Sequence, residues 1–265
     1  MDLAIESGDR QAIPLADPVV FRLTDENNLP YAGVTIKALT GSGSLDAASA
    51  VTDADGRESF LWKPGAAALV HEMTAGLDGG PAATVTAIGR ALATPESIVN
   101  AASFRPGLAP GMIATVFGAN LGGGKVTIGG RAAKVIFDSV RQLNFVVPLD
   151  VPAGSVEVRI STFVGETVVG EVRVYSTLPG VFAARNAGSG FVEIYATGLG
   201  VLNGAETMAR PLVTIDSQPA DLVFSGLAPG FEGLYQVNAR LTGLGGGKHT
   251  VTVSVGGVAS NAVAF

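Results

Sequence analysis

The sequence predicts an all-β protein made of three β-sandwiches in series. Three observations predict it. Apolar residues alternate with polar ones or gather in runs of about four to eight, the two signatures of strands, and no stretch keeps the period of an amphipathic helix. Gly (36) and Pro (14) are abundant among 265 residues, as in chains of short strands joined by tight turns. A twelve-residue phrase occurs twice, as VTIGGRAAKVIF at 126–137 and VTIDSQPADLVF at 213–224.

Composition narrows the function. Hydrophobic residues make up 47% of the chain, enough to build cores. The net charge is −6, and no window is basic, so the Lys/Arg stripe that a nucleic-acid binder needs is missing. Residues 1–91 hold 6 Lys/Arg and 12 Asp/Glu, whereas residues 92–265 hold 11 of each, which places a domain boundary near residue 91. There is no cysteine, hence no disulfide, thiolate metal site or thiol nucleophile. No apolar run approaches the ~18 residues of a membrane span. MDLAIESGDRQAI lacks the basic and apolar regions of a signal peptide, and the segment reads as a piece of a longer secreted chain.

In residues 1–91 the predicted strands are 19–24, 33–39, 58–62, 70–75 and 83–88. Between them lie Asx- and Gly-rich turns, Asp25-Glu26-Asn27-Asn28, Gly41-Ser42-Gly43-Ser44, Asp53-Ala54-Asp55-Gly56 and Asp78-Gly79-Gly80-Pro81. That strand density fits a sandwich. The spacing LTDENNLPYAGVTIKA, GSGSL, TDADGRESF resembles the bacterial immunoglobulin-like domain of invasins and intimins. The residues that carry the resemblance are Thr24, Asp25, Pro30, Gly33 and Val34, then Gly41 to Leu45, then Thr52, Asp53, Gly56 and Phe60. Asn28 stands where that family commonly has Gly, and Asn tolerates the same left-handed turn.

ALATPES (91–97) reads as a linker, after which four blocks repeat in order. IATVFGANLG (113–122) aligns with FVEIYATGLG (191–200), and the twelve-residue phrases come next. Gln142-Leu143-Asn144 then matches Gln236-Val237-Asn238, once an insertion at 227–233 is allowed. Val156-Glu157-Val158 is set against Val251-Thr252-Val253. The back of the chain is therefore a sandwich made twice. Ile128, Ile215, Phe137 and Phe224 are expected on inward faces. The unit resembles the IPT/TIG type of immunoglobulin-like fold. SIVNAASFRPGLAPGMIATVFGANLG, IYATGLG and LAPGFEGLYQVNARL resemble more closely an uncharacterised C-terminal domain of secreted acidobacterial proteins. The resemblances imply three immunoglobulin-like β-sandwich domains in tandem, spanning 1–91, 92–178 and 179–265.

Candidate chemistry is sparse. Gln142 with Asn144, and Gln236 with Asn238, share a strand face and could bind a ligand or satisfy the scaffold's own backbone. Asp53 and Asp55 open like a calcium loop, and Asp25 could add oxygens if its turn lies at the same end; the loop lacks its closing Glu, so an ordinary hairpin turn is the competing reading. Gly122–Lys125 and Gly245–Lys248 mimic phosphate loops, but a strand and not a helix comes after each. His71 and His249 have no nucleophile motif beside them, no carboxylate pair stands in a glycosidase pattern, and His clusters for metal are missing. No catalytic residue, cofactor or firm metal site is expected. Trp62, the single tryptophan, could offer a sugar-stacking platform, but in FLWKPG it is expected to pack at a strand end. The loop 227–235, with Phe231 and Tyr235, is the best candidate for a contact surface; alternatively its rings close the sandwich or an interface. Leu178, Val181 and Phe182 are expected to pack between the repeats and stiffen the pair.

The function these readings imply is a non-catalytic extracellular module, a stalk or adhesion segment of a larger secreted or cell-surface protein that contacts protein or glycan. The alternative is a carbohydrate-binding accessory module of a secreted enzyme, which an exposed aromatic strip on one sheet face would favour.

Overall fold

The computed structural model describes residues 1–13, 15–65, 68–188, 190–241, 243 and 247–265. It is built from strands, with a single 3₁₀ turn at Pro95–Ser97 among the described residues. The chain divides into two compact units, Met1–Leu92 and Ala93–Phe265.

The first unit is a sandwich. One sheet orders Asp2–Ser7, Val19–Thr24 and Arg57–Phe60; the other orders Gln11–Ala12, Ala82–Ile88, Val70–Gly76, Thr35–Thr40 and Ser49–Val51. Val19, Phe21 and Leu23 alternate inward with no exposed surface, opposite Ile36, Met73 and Val85. This period-two burial is what makes the segment a half-buried strand. Phe21 and Phe60 meet edge to face at 6.1 Å. Sequence patterning missed the N-terminal strand. Asp2–Ser7 pairs with Val19–Thr24, and the chain then crosses to the other sheet, where Gln11–Ala12 runs parallel to Ala82–Ile88. Asp9 fixes the crossing by accepting from the Thr86 N–H at 2.9 Å and its hydroxyl at 3.0 Å.

The second unit contains both repeats, and their pairing is the same. Val126 lies opposite Ala133 and Ile128 opposite Arg131; Val213 lies opposite Ala220 and Ile215 opposite Gln218. Each strand pairs on its other side with a later one, Ile128 with Val158 and Ile215 with Val251. Val158, not Val156, is therefore the counterpart of Val251. A Val-x-Val pattern slides by two residues without changing which face is apolar, and only the observed register fixes the match. Val126, Ile128, Val213 and Ile215 are all buried.

Phe137 and Phe224 do not sit in the cores. Phe137 is 48% exposed and Phe224 half-buried. The cause is the same in both repeats, a bulge between Val135 and Phe137 and another between Leu222 and Phe224. One extra residue in a strand reverses the facing of the residues after it. Phe137 comes to lie opposite Asn144, and Phe224 opposite Asn238.

The repeats meet along a bonded seam. Asn100, fully buried, donates from Nδ2 to the Leu178 carbonyl at 2.7 Å. Thr197 accepts from the Ile113 N–H at 2.7 Å and donates to the Gly233 carbonyl at 2.7 Å. Arg105 donates to the Ala259 carbonyl at 2.8 Å. Leu178 and Val181 are buried as expected, whereas Phe182 is 39% exposed because a bulge between Val181 and Ala183 redirects the strand.

Candidate functional site

The outward face of each repeat's central strands carries the amide pairs. Gln142 donates from Nε2 to Asn144 Oδ1 at 2.8 Å, and Gln236 to Asn238 Oδ1 at 3.0 Å. The amides thus bond each other rather than pinning loops. In repeat 1 the buried Thr115 also donates to Asn144 Oδ1, at 3.0 Å, so two donors orient that amide oxygen.

The surroundings of the two pairs differ. In repeat 1, Phe117 lies opposite Gln142 and Phe137 opposite Asn144. Phe104 stacks on Phe117 with ring centroids 6.3 Å apart and planes 27° from parallel. In repeat 2, Tyr195 lies opposite Gln236 and Glu193 opposite Asn238. Glu193 is held by Arg185 at 2.6 Å, which keeps that guanidinium firmly protonated, and Arg240 covers the Phe191 ring at 5.5 Å.

The loop 227–235 splits its two aromatics. Phe231 is 65% exposed. Tyr235 is not a surface contact residue: it is fully buried, its hydroxyl donates to the Gly200 carbonyl at 2.7 Å, and burial pushes that phenol up to about 12. It forms one wall of an inter-repeat cleft of about 320 Å³, whose opposite wall includes Ala132, Val146 and Leu149. Lys134 and Glu232 bridge the cleft at 2.8 Å. The insertion therefore builds the seam, and sequence spacing gave no sign of what lay opposite it.

Asp25 and Asp53 serve their own turns. Asp25 Oδ1 accepts from the Leu29 and Asn27 N–H groups at 2.9 and 2.8 Å, which hold its carboxyl below the usual range. Asp53 Oδ1 accepts from the Arg57 and Asp55 N–H groups at 2.8 and 2.9 Å, and Asp55 faces Arg57 at 3.7 Å. The two turns adjoin, Leu23 N–H donating to the Gly56 carbonyl and Tyr31 N–H to that of Leu23. No group of three or more potential metal ligands forms among the described residues.

Of the glycine runs, Gly123 donates to Asp138 Oδ2 at 2.8 Å in a turn that leads into the strand Lys125–Ile128. Gly245 and Gly246 lie outside the described residues. Trp62 is buried at a strand end, and its Nε1 has no partner among the described residues.

Each histidine has a partner that spacing did not reveal. Ser42 Oγ lies 2.6 Å from His71 Nδ1, while His71 Nε2 faces the Ala68 carbonyl at 2.9 Å. A carbonyl only accepts, so Nε2 donates to it while Nδ1 pairs with the serine hydroxyl. Both ring nitrogens of this 3% exposed residue are engaged, which pins the 40–44 turn to the strand Val70–Gly76. His249 Nδ1 lies 2.7 Å from Asp216 Oδ2.

The chain is a tandem of β-sandwiches. No protein-family model matches it, and no curated protein does. Among solved structures it is similar to invasin, a bacterial integrin-binding protein, at 15% identity over 97% of this chain and 57% of that one, with a TM-score of 0.27. It is similar to the Escherichia coli adhesin FdeC at 15% identity over 100% and 96% of the two chains, with a TM-score of 0.30. It is also similar to SGBP-B of a Bacteroides ovatus mixed-linkage glucan utilization locus, solved with a heptasaccharide. There the identity is 14% over 99% and 66% of the two chains, with a TM-score of 0.30. This chain thus spans little more than half of the solved invasin. At such identities and TM-scores these likenesses carry no argument about ligand or partner.

Proposed function

We propose that this chain is a non-catalytic extracellular module, a stalk or adhesion segment of a larger secreted or cell-surface protein. We further propose that it divides into domains at 1–91, 92–178 and 179–265. The observation that supports the reading most is the seam. The Ile113 N–H bonds the Thr197 hydroxyl, Arg105 bonds the Ala259 carbonyl and Lys134 pairs with Glu232 across the repeats, with an apolar cleft between them. Such a joint resists bending, which suits a spacer or a presenting surface. Charged groups such as Asp25, Asp53 and Glu193 are engaged in turns and hairpins, and Lys134 and Glu232 neutralise each other across the cleft rather than forming the converging set a reaction site requires.

An antibody raised against the chain tests the location. Signal on intact cells of the source organism, or in culture medium, is expected. Signal that appears only after lysis overturns the proposal.

The accessory-module reading gains one specific observation, the exposed aromatic strip on repeat 1.

A further inference from the structure

We propose that the outward sheet face of repeat 1 is a binding platform for a neutral glycan, with Phe104, Phe117, Gln142, Asn144 and Phe137 as its contact residues. The proposal rests on the reading that the module is extracellular.

Three rings line this face, and each is well exposed, Phe104 at 62%, Phe117 at 39% and Phe137 at 48%. Phe117, the amides and Phe137 lie on three adjacent strands, Ile113–Phe117, Gln142–Val146 and Arg131–Asp138. The strip therefore spans about 10 Å across two strand spacings, and Phe104 extends it beyond Phe117. That length suits a short run of sugar units.

Phe104 is held in place at a cost. Its φ is +56°, a region that bulky residues rarely occupy. The buried Asn100 enforces the turn, its Oδ1 accepting from the Ala102 and Ser103 N–H groups at 2.7 and 3.0 Å and its carbonyl accepting from the Phe104 N–H at 2.9 Å. Backbone strain that displays an apolar ring to water does nothing for the core, and such strain concentrates at ligand sites.

The amides supply the polar half. Asn144 Oδ1 is occupied by Thr115 and Gln142. That leaves Asn144 Nδ2 as a donor and Gln142 Oε1 as an acceptor, on half-exposed side chains beside Phe117. Ring faces for the C–H surface of a sugar, with a donor and an acceptor for its hydroxyls, form a neutral recognition set. The paired positions of the strip carry no ionised side chain, in a chain whose net charge is −6. The next charge along that face, Lys134 opposite Val146, is already paired with Glu232 at 2.8 Å. The sister face of repeat 2 shows the contrast, since its Glu193 and Phe191 are already covered by Arg185 and Arg240.

Affinity electrophoresis of the full chain through gels containing hydroxyethylcellulose, xyloglucan or galactomannan tests this, with hyaluronan as the anionic control. Retardation by at least one neutral polymer is expected. Phe104→Ala and Phe117→Ala should each weaken it about tenfold, equivalent to about 1.4 kcal/mol, while Phe191→Ala leaves it unchanged. Both substituted rings are exposed, and an unchanged melting temperature verifies the fold of each variant. No retardation by any neutral polymer, retardation by hyaluronan alone, or equal retardation of all variants overturns the proposal. So does a dimer in sedimentation that Phe117→Ala dissolves, because the face would then belong to a second copy. Failure in the gels with antibody signal on intact cells refutes the glycan site alone; signal only after lysis refutes the extracellular reading itself.

Discussion

The two repeats start from one plan and part company where they touch. Asn100 and Asn186 occupy the same place, opposite Ala114 and Val192 in their sheets. Each bonds the N–H two residues on, Asn100 that of Ala102 at 2.7 Å and Asn186 that of Gly188 at 2.9 Å. Asn186 is exposed and does little else, whereas Asn100 is fully buried, bonds the Leu178 carbonyl at the junction of the repeats and packs against Gly180 and Gly198 of repeat 2. Arg141 and Tyr235 differ in the same way. They precede Gln142 and Gln236, yet Arg141 lies in water and Tyr235 fills the seam. A duplicated surface position becomes a core position once the other copy covers it.

Substitutions at matched positions can break this comparison. The largest effect is expected at Tyr235. Tyr235→Ala empties a fully buried site and should cost about 3–5 kcal/mol, whereas Arg141→Ala should fall within about 0.5 kcal/mol; urea unfolding reads both. Next comes Asn100→Ala. It orphans the Leu178 carbonyl and the Ala102 and Ser103 N–H groups, at about 1–3 kcal/mol. Asn186→Ala loses one exposed bond and should cost well under that. Calorimetry should also show the transition of the Asn100 variant broadening as the repeats uncouple.

The turns provide a third contrast. Gly129-Gly130 and Asp216-Ser217 close the equivalent hairpins, all four at positive φ. Glycine adopts that region freely and serine does not. Ser217→Gly should therefore stabilise repeat 2 by up to about 1 kcal/mol, seen as a higher melting temperature.

Asp216 gives the smallest effect. The His249 ring, and then the Thr250 N–H, hold its carboxyl below the ordinary range. An acid whose pKa is depressed in the fold stabilises above its unfolded pKa, near 4, and loses that contribution as pH falls through the folded value. Asp216→Asn should lower the melting temperature slightly at pH 6, and the gap should close on acidification below about pH 4. A gap independent of pH would contradict this.

Much of the architecture was legible in the sequence, because strand burial obeys a simple period and the duplication printed it twice. Ile128 and Ile215 sit inward as their alternation requires. Phe137 and Phe224 do not, because a bulge adds a residue without leaving a mark in composition. The two-residue slip at Val156 has a related cause, since alternation fixes a face and not a register. The candidate site was half legible. The Gln-x-Asn pairs stood out as shared-face amides, but Phe104 comes from a turn outside any strand pattern, and its place over Phe117 depends on a buried asparagine. The Ser42–His71 contact and the burial of Tyr235 join residues distant in the chain, which spacing alone does not connect.

The central claim is that repeat 1 and repeat 2 form a single rigid body. Backbone ¹⁵N relaxation on the intact chain tests it most directly. One rotational diffusion tensor should fit the amides of both 98–174 and 180–264. Two tensors, with separate correlation times for the two spans, would contradict it.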